Sequence, residues 1–84
     1  MLVKVKYRAQ HLAELAGTAL EEIDAATVQG ILQNIKARYG AEAEKSARSM
    51  LIAVNGESIL HLRRYKTGLQ AGDEVSFLPI CGGG

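Results

Sequence analysis

From Leu2 to Tyr7 the chain alternates in the period-two manner of a half-buried strand. His11 to Ala16 predicts a short helix, ended by Gly17. Thr18 to Asp24 alternates weakly and predicts a second strand that returns beside the first. The clearest element follows, because Val28, Ile31, Leu32, Ile35 and Tyr39 fall at helical spacing on one face. Thr27 is its expected N-cap, since a hydroxyl there can accept from a free backbone N–H. Gly40 stands where a left-handed cap costs least. Gly30 weakens this helix by about 1 kcal/mol relative to alanine. Ala41 to Arg48 reads as a further helical turn or two.

Met50 to Val54 is a continuous apolar run and predicts a central strand. Asn55-Gly56 is a type I′ hairpin signal, because both central positions of that turn need positive φ. Ser58 to Leu62 is the expected partner strand, and Arg63 to Gln70 is irregular. Ala71-Gly72-Asp73 predicts a turn and Glu74 to Leu78 the last strand. Pro79 has no N–H to donate and ends the ladder. The order β, short α, β, α, β, β, β predicts an α+β domain of the β-grasp, or ubiquitin-like, type. In it a mixed sheet of about five strands carries one main helix on one face, and the last strand pairs in parallel with the first. Val28, Ile31, Leu32, Ile35, Val75 and Phe77 are the expected shared core. Residues 1–79 form the domain and 80–84 a flexible glycine tail.

Bulk properties narrow the function. With 84 residues, 48% of them apolar, the chain supports one compact core. A net charge of +1 with interspersed signs makes no case for nucleic acid or an anionic membrane as partner. No apolar run suggests a membrane span or a signal peptide. The single cysteine, Cys81, rules out an internal disulfide framework and a four-thiolate metal site, and the expected compartment is the reducing cytoplasm. His11 and His61 stand alone, so neither metal nor cofactor is expected.

After Pro79 the sequence runs Ile80-Cys81-Gly82-Gly83-Gly84. Five extended residues reach roughly 17 Å past the last strand. Lacking Cβ atoms, the glycines can thread a narrow tunnel and place a carboxylate deep inside another protein. A free carboxylate is a poor electrophile and must first be activated, for instance as an acyl-adenylate. The bland alternative is a frayed end or an expression scar.

The segment Ala71-Gly72-Asp73-Glu74-Val75-Ser76-Phe77-Leu78-Pro79 ending in Gly83-Gly84 resembles the C-terminal signature of the MoaD/ThiS sulfur-carrier family. Ala53-Val54-Asn55-Gly56, Ala9-Gln10 and Glu14-Leu15-Ala16-Gly17 extend the likeness over the whole chain, most of all toward the MoaD branch, the small subunits of molybdopterin synthase. Its tails commonly read Pro-Pro-Val-x-Gly-Gly, so Ile80, Cys81 and Gly82 depart from the pattern. The resemblance implies a cycle. An E1-like, ATP-dependent enzyme of the MoeB/ThiF type adenylates the Gly84 carboxylate, with Gly83 threading beside it. A cysteine desulfurase or rhodanese supplies sulfur, leaving a thiocarboxylate. The tail then enters a MoaE-like large subunit, which uses the sulfur to build the dithiolene of molybdopterin. The chain is then a co-substrate, with catalytic side chains in its partner. Other sulfur-transfer pathways (thiamine thiazole, cysteine, tRNA thiolation) share this chemistry. So does a ubiquitin-like modifier conjugated through Gly84, while a binding module with an inert tail does not.

Three further features have two readings each. Leu78 faces away from the main helix and is either a scattered exposed leucine or, with Ile80, Cys81 and Gly82, a partner-docking patch. Cys81 is either a persulfide-accepting thiol or a small apolar filler. The run Arg63, Arg64 and Lys66 is either a solvated face or a dock for an acidic groove.

Overall fold

The computed structural model describes residues 1–80. Its elements are β1 (Leu2–Tyr7), α1 (Gln10–Ala16), β2 (Leu20–Asp24), α2 (Val28–Tyr39), α3 (Ala41–Arg48), β3 (Leu51–Val54), β4 (Glu57–Ser58) and β5 (Glu74–Leu78). The sheet is five-stranded, in the order β2-β1-β5-β3-β4. β5 lies in the middle, parallel to β1 and antiparallel to β3. This is the β-grasp arrangement expected from the order of elements.

One face of the sheet is sealed by α2. Its Val28, Ile31, Leu32 and Ile35 are fully buried against Val3 and Val5 of β1, Ile52 of β3, and Val75 and Phe77 of β5. Burying each such side chain contributes about 1.5–3 kcal/mol, so this face supplies most of the driving force for folding. The Phe77 ring meets that of Tyr7 on the parallel neighbour at 5.9 Å between centroids. Thr27 caps α2 as expected, its Oγ1 accepting from the Gly30 N–H at 3.1 Å. α1 ends at Gly17, whose φ of 76° lets its N–H turn back to Ala13 and Glu14.

Two expectations need correction. Gly40 has φ 99° and ψ 170°, outside the left-handed cap region but still open only to glycine. The reason is that a helix restarts at once. The Gly40 N–H bonds the Lys36 carbonyl at 3.0 Å, and its own carbonyl accepts from Glu44 at 3.2 Å. The residues after it form the helical segment expected over Ala41 to Arg48, α3, which buries Ala43 and Ala47 and places Glu42 and Glu44 in its first turn and Arg48 in its last, in accord with the helix dipole. Finally, the strand expected over Ser58 to Leu62 stops after Ser58. The Ser58 hydroxyl accepts from the Leu60 N–H at 3.2 Å and starts a 3₁₀ turn over Ile59–His61. Ile59 is its one buried anchor.

The stretch from Arg63 to Gln70 holds a second 3₁₀ turn at Arg64–Lys66. It is then stitched to the start of α2 by Val28 N–H to Thr67 O at 3.1 Å and Leu69 N–H to Ala26 O at 2.9 Å. The hairpin turn has positive φ at Asn55 and Gly56, as its sequence predicts. Among the described residues no helix is long and apolar enough to cross a membrane.

A carboxylate ties the far end of α2 to β2. Glu21 accepts from the Tyr7 hydroxyl, from the Tyr39 hydroxyl at 2.8 Å and from Arg38 Nη1 at 2.8 Å. Burial, and then the hydrogen bond to Glu21, push the Tyr7 phenol well above its usual range; the same two causes raise Tyr39. A phenol whose pKa is higher in the folded state stabilises the fold below its unfolded value of about 10, and that contribution is lost as pH climbs toward the folded value. Thermal unfolding followed by circular dichroism should therefore show stability falling above about pH 10. In Tyr7→Phe the alkaline decline should be shallower; equal slopes in the two proteins would contradict this.

Candidate functional site

The candidate site is the shoulder from which the tail departs. Since β5 is the middle strand, its last residues leave the sheet between the end of β1 and the start of β3. The Phe77 carbonyl still accepts from the Arg8 N–H at 2.9 Å, and Leu78 lies opposite Leu51. Pro79 and Ile80 follow outside the ladder. Ile80 is 66% exposed, whereas Leu78 is half-buried on the sheet face opposite α2. These two candidate docking residues are thus brought to one end of the sheet. Cys81, Gly82, Gly83 and Gly84 lie outside the described residues.

The open face of the sheet is divided by charge. On β1 and β2 it carries Lys4, Lys6 and Glu22, with Lys6 paired to Glu74 of β5 at 3.1 Å. On β3 and the end of β5 it carries Leu51, Ala53, Ser76 and Leu78. The β3 side of this face is therefore the uncharged one.

Around the corner from Leu51 lies a shallow groove of ≈ 240 Å³ between the end of α3, the start of β3 and the two 3₁₀ turns. Ile80 forms one wall, and Leu51 and Leu60 line it at 38% and 57% exposure. Sequence reasoning missed Leu60, which it placed within a strand. The available signal was Ser58, a cap former directly before Ile59 and Leu60. Two cations rim the groove. Arg48 pairs with Glu44 at 3.1 Å and lies 5.0 Å over the Tyr65 ring, while Arg64 extends from the second 3₁₀ turn.

Upstream, the two motif segments hold each other. Asn55 donates its backbone N–H to the Glu74 carbonyl at 2.7 Å, and its side-chain carbonyl accepts from the Glu74 N–H at 3.0 Å. Asn55 Nδ2 donates to Asp73 Oδ1 at 3.2 Å, and Asp73 Oδ2 accepts from the Gln70 N–H at 2.8 Å. The hairpin asparagine thus acts as one more rung of the ladder and sets where β5 begins, and hence where the tail begins.

The comparisons decide what such a shoulder belongs to. The model of the ThiS family matches residues 5–84, the glycine tail included. The chain belongs to the ThiS family. Its fold and family are those of the ubiquitin-like sulfur carriers. Among solved structures, small archaeal modifier protein 1 from Methanosarcina acetivorans is 30% identical, with 99% of this chain and 96% of that one covered and a TM-score of 0.84. A putative molybdopterin converting factor subunit 1 from Pyrococcus furiosus is 29% identical over 94% and 97% of the two chains, with a TM-score of 0.70. A chain of the complex of subunits 1 and 2 of the molybdopterin-converting factor from Helicobacter pylori matches at 22% identity over 98% and 99%, with a TM-score of 0.69, a likeness of fold alone. No curated sequence is a significant match.

The Asn55 lock generates a stability prediction. Asn55→Ala removes both side-chain hydrogen bonds and puts a less tolerant residue at φ 51°. The expected loss is about 1–3 kcal/mol, read as a lower midpoint in urea with unchanged slope. An unchanged midpoint would show that the lock contributes nothing.

Proposed function

We propose that this ThiS-family chain carries sulfur on the carboxylate of Gly84 and delivers it in molybdopterin biosynthesis, as the small, MoaD-like partner of a two-subunit synthase. The observation that carries the reading is the middle position of β5. A strand held on both sides and under α2 is a rigid base for the glycine-rich residues that follow it, and the apolar Leu78, Leu51 and Ile80 stand beside their root. Rigid presentation matters because a misplacement of about 1 Å can cost a reaction about 10²-fold.

In this cycle an E1-like, ATP-dependent enzyme of the MoeB/ThiF type joins the Gly84 carboxylate to AMP and releases pyrophosphate. The terminal sulfur of a persulfide on a cysteine desulfurase or rhodanese then attacks the acyl-adenylate and displaces AMP. A second thiol of the donor attacks the resulting acyl disulfide, forms a disulfide with the donor cysteine and releases the thiocarboxylate. A MoaE-like large subunit receives the tail, Leu78 and Ile80 pack against it, and its own side chains perform the transfer. Gly82 and Gly83 thread the tunnel, and Cys81 serves as a small apolar filler. The domain up to residue 79 acts as a handle for the flexible residues 80–84, and the cycle runs in the cytoplasm.

A second reading, conjugation of Gly84 to lysines of other proteins, is favoured by the likeness to the archaeal modifier protein. Both readings begin with adenylation, so they separate at the acceptor and not at the tail.

Incubation with ATP, the adenylating enzyme and a sulfur donor should raise the intact mass by the difference between a sulfur and an oxygen atom. Removal of Gly84 should abolish the shift, because the new terminus falls about 3.5 Å short of the activating centre. A persistent shift in the shortened chain would overturn the sulfur-carrier reading. Recovery of the chain in isopeptide linkage, with no thiocarboxylate formed, would favour the modifier.

A further inference from the structure

Arg64 has φ 52°, in the left-handed region that a residue with a β-carbon rarely adopts. The surrounding turn over-determines this conformation. Thr67, itself buried, donates its hydroxyl to the Arg64 carbonyl at 2.7 Å and accepts from the Arg63 N–H at 3.0 Å. The Thr67 N–H adds a bond to the same Arg64 carbonyl at 3.1 Å. A turn of this shape needs no arginine; glycine would form it with less strain. Strain that the surroundings hold in place tends to mark a functional position.

The position is a telling one. Arg64 stands at the rim of the groove whose opposite wall is Ile80, and no acidic side chain lines that groove. Arg48, the other rim cation, is committed to Glu44 and to the face of Tyr65. Arg64 makes no ion pair among the described residues. Among the described residues the result is an apolar trough with one uncommitted cation at its edge, and Ile80, one of its walls, directly precedes the tail in sequence.

We propose that Arg64 is a specificity-determining residue for the adenylating enzyme, and that the groove receives a segment of that enzyme in which an apolar side chain stands next to a carboxylate. The inference rests on the sulfur-carrier reading above. An enzyme that draws Gly84 into its active site must cover Ile80, and with it the groove. Apolar cover buries Leu51 and Leu60, but it would desolvate Arg64 without compensation unless it also brings a negative charge. Adenylation is the step common to every fate of the tail, so the enzyme that performs it is the partner to which the groove is assigned.

The test is ATP–pyrophosphate exchange by the E1-like adenylating enzyme of the same organism, with the full chain as substrate. Arg64→Gly relieves the strained backbone and should melt no lower than the parent, which separates binding from folding. It should raise the KM for the chain about tenfold and leave kcat unchanged, as loss of an interfacial charge pair does. Arg64→Glu should raise KM further, and Arg64→Lys should retain most of the affinity. Added salt should raise the parent's KM steeply and that of Arg64→Gly only slightly. Unchanged KM in both Arg64→Gly and Arg64→Glu would overturn the inference while leaving the carrier reading intact. So would a dependence on Arg64 confined to binding of the MoaE-like subunit. If the unaltered chain supports no exchange at all, the carrier reading fails first and the inference falls with it.

Discussion

The structure depends on the parallel pairing of β1 with β5, which joins the two ends of the described chain. Val5 lies beside Val75 and Tyr7 beside Phe77, and all four side chains are buried on the face sealed by α2. Nothing local would hold Glu74–Leu78 in place. Its stability comes from two neighbouring strands, each distant in sequence, and from the apolar stripe of α2. Because that pairing is parallel and central, the chain leaves the sheet at the same end as β1, with its last apolar residues beside Leu51. A fold closed in this way has its C-terminal segment anchored in the core to within three residues of Ile80.

The rest of the molecule refines that placement. Asn55 extends the β5 ladder by one rung and, through Asp73, ties the hairpin to the turn that precedes β5. Thr67 holds the second 3₁₀ turn in a conformation that sends Arg64 to the groove. Glu21 gathers two phenols and a guanidinium and secures the end of α2. Each device uses one polar side chain whose partners are complete. Among the described residues no buried side-chain nitrogen or oxygen lacks a hydrogen-bond partner.

Much of this was legible in the sequence where a single physical rule dominates. The α2 stripe, the Thr27 cap, the positive φ at Asn55-Gly56 and the alternation of β5 each follow from local periodicity or stereochemistry. The parallel pairing of first and last strands was legible only through the order of elements. Legibility failed where local signals compete. At Ser58 a hydroxyl able to cap outweighed the apolar run behind it. At Gly40 the pattern marked a helix end and the helical turns after it, but not the backbone angles, φ 99° and ψ 170°, with which one glycine closes α2 and opens α3. The strain at Arg64 left no trace in composition, because it is imposed by Thr67 three positions later together with the packing of Leu69 against the core. The shoulder residues Leu78 and Ile80 could be named from the chain, but their meeting with Leu51 and Leu60 required the tertiary structure.

The central claim is that the chemistry resides in the terminal carboxyl group and that the folded domain presents it. The most direct measurement is fragmentation of the intact protein, isolated from cells without reductant, to find which residue bears sulfur. The account predicts that sulfur replaces one carboxyl oxygen of Gly84, and that every fragment lacking this residue has its unmodified mass. A whole additional sulfur atom on Cys81, with an ordinary carboxylate at Gly84, would contradict it.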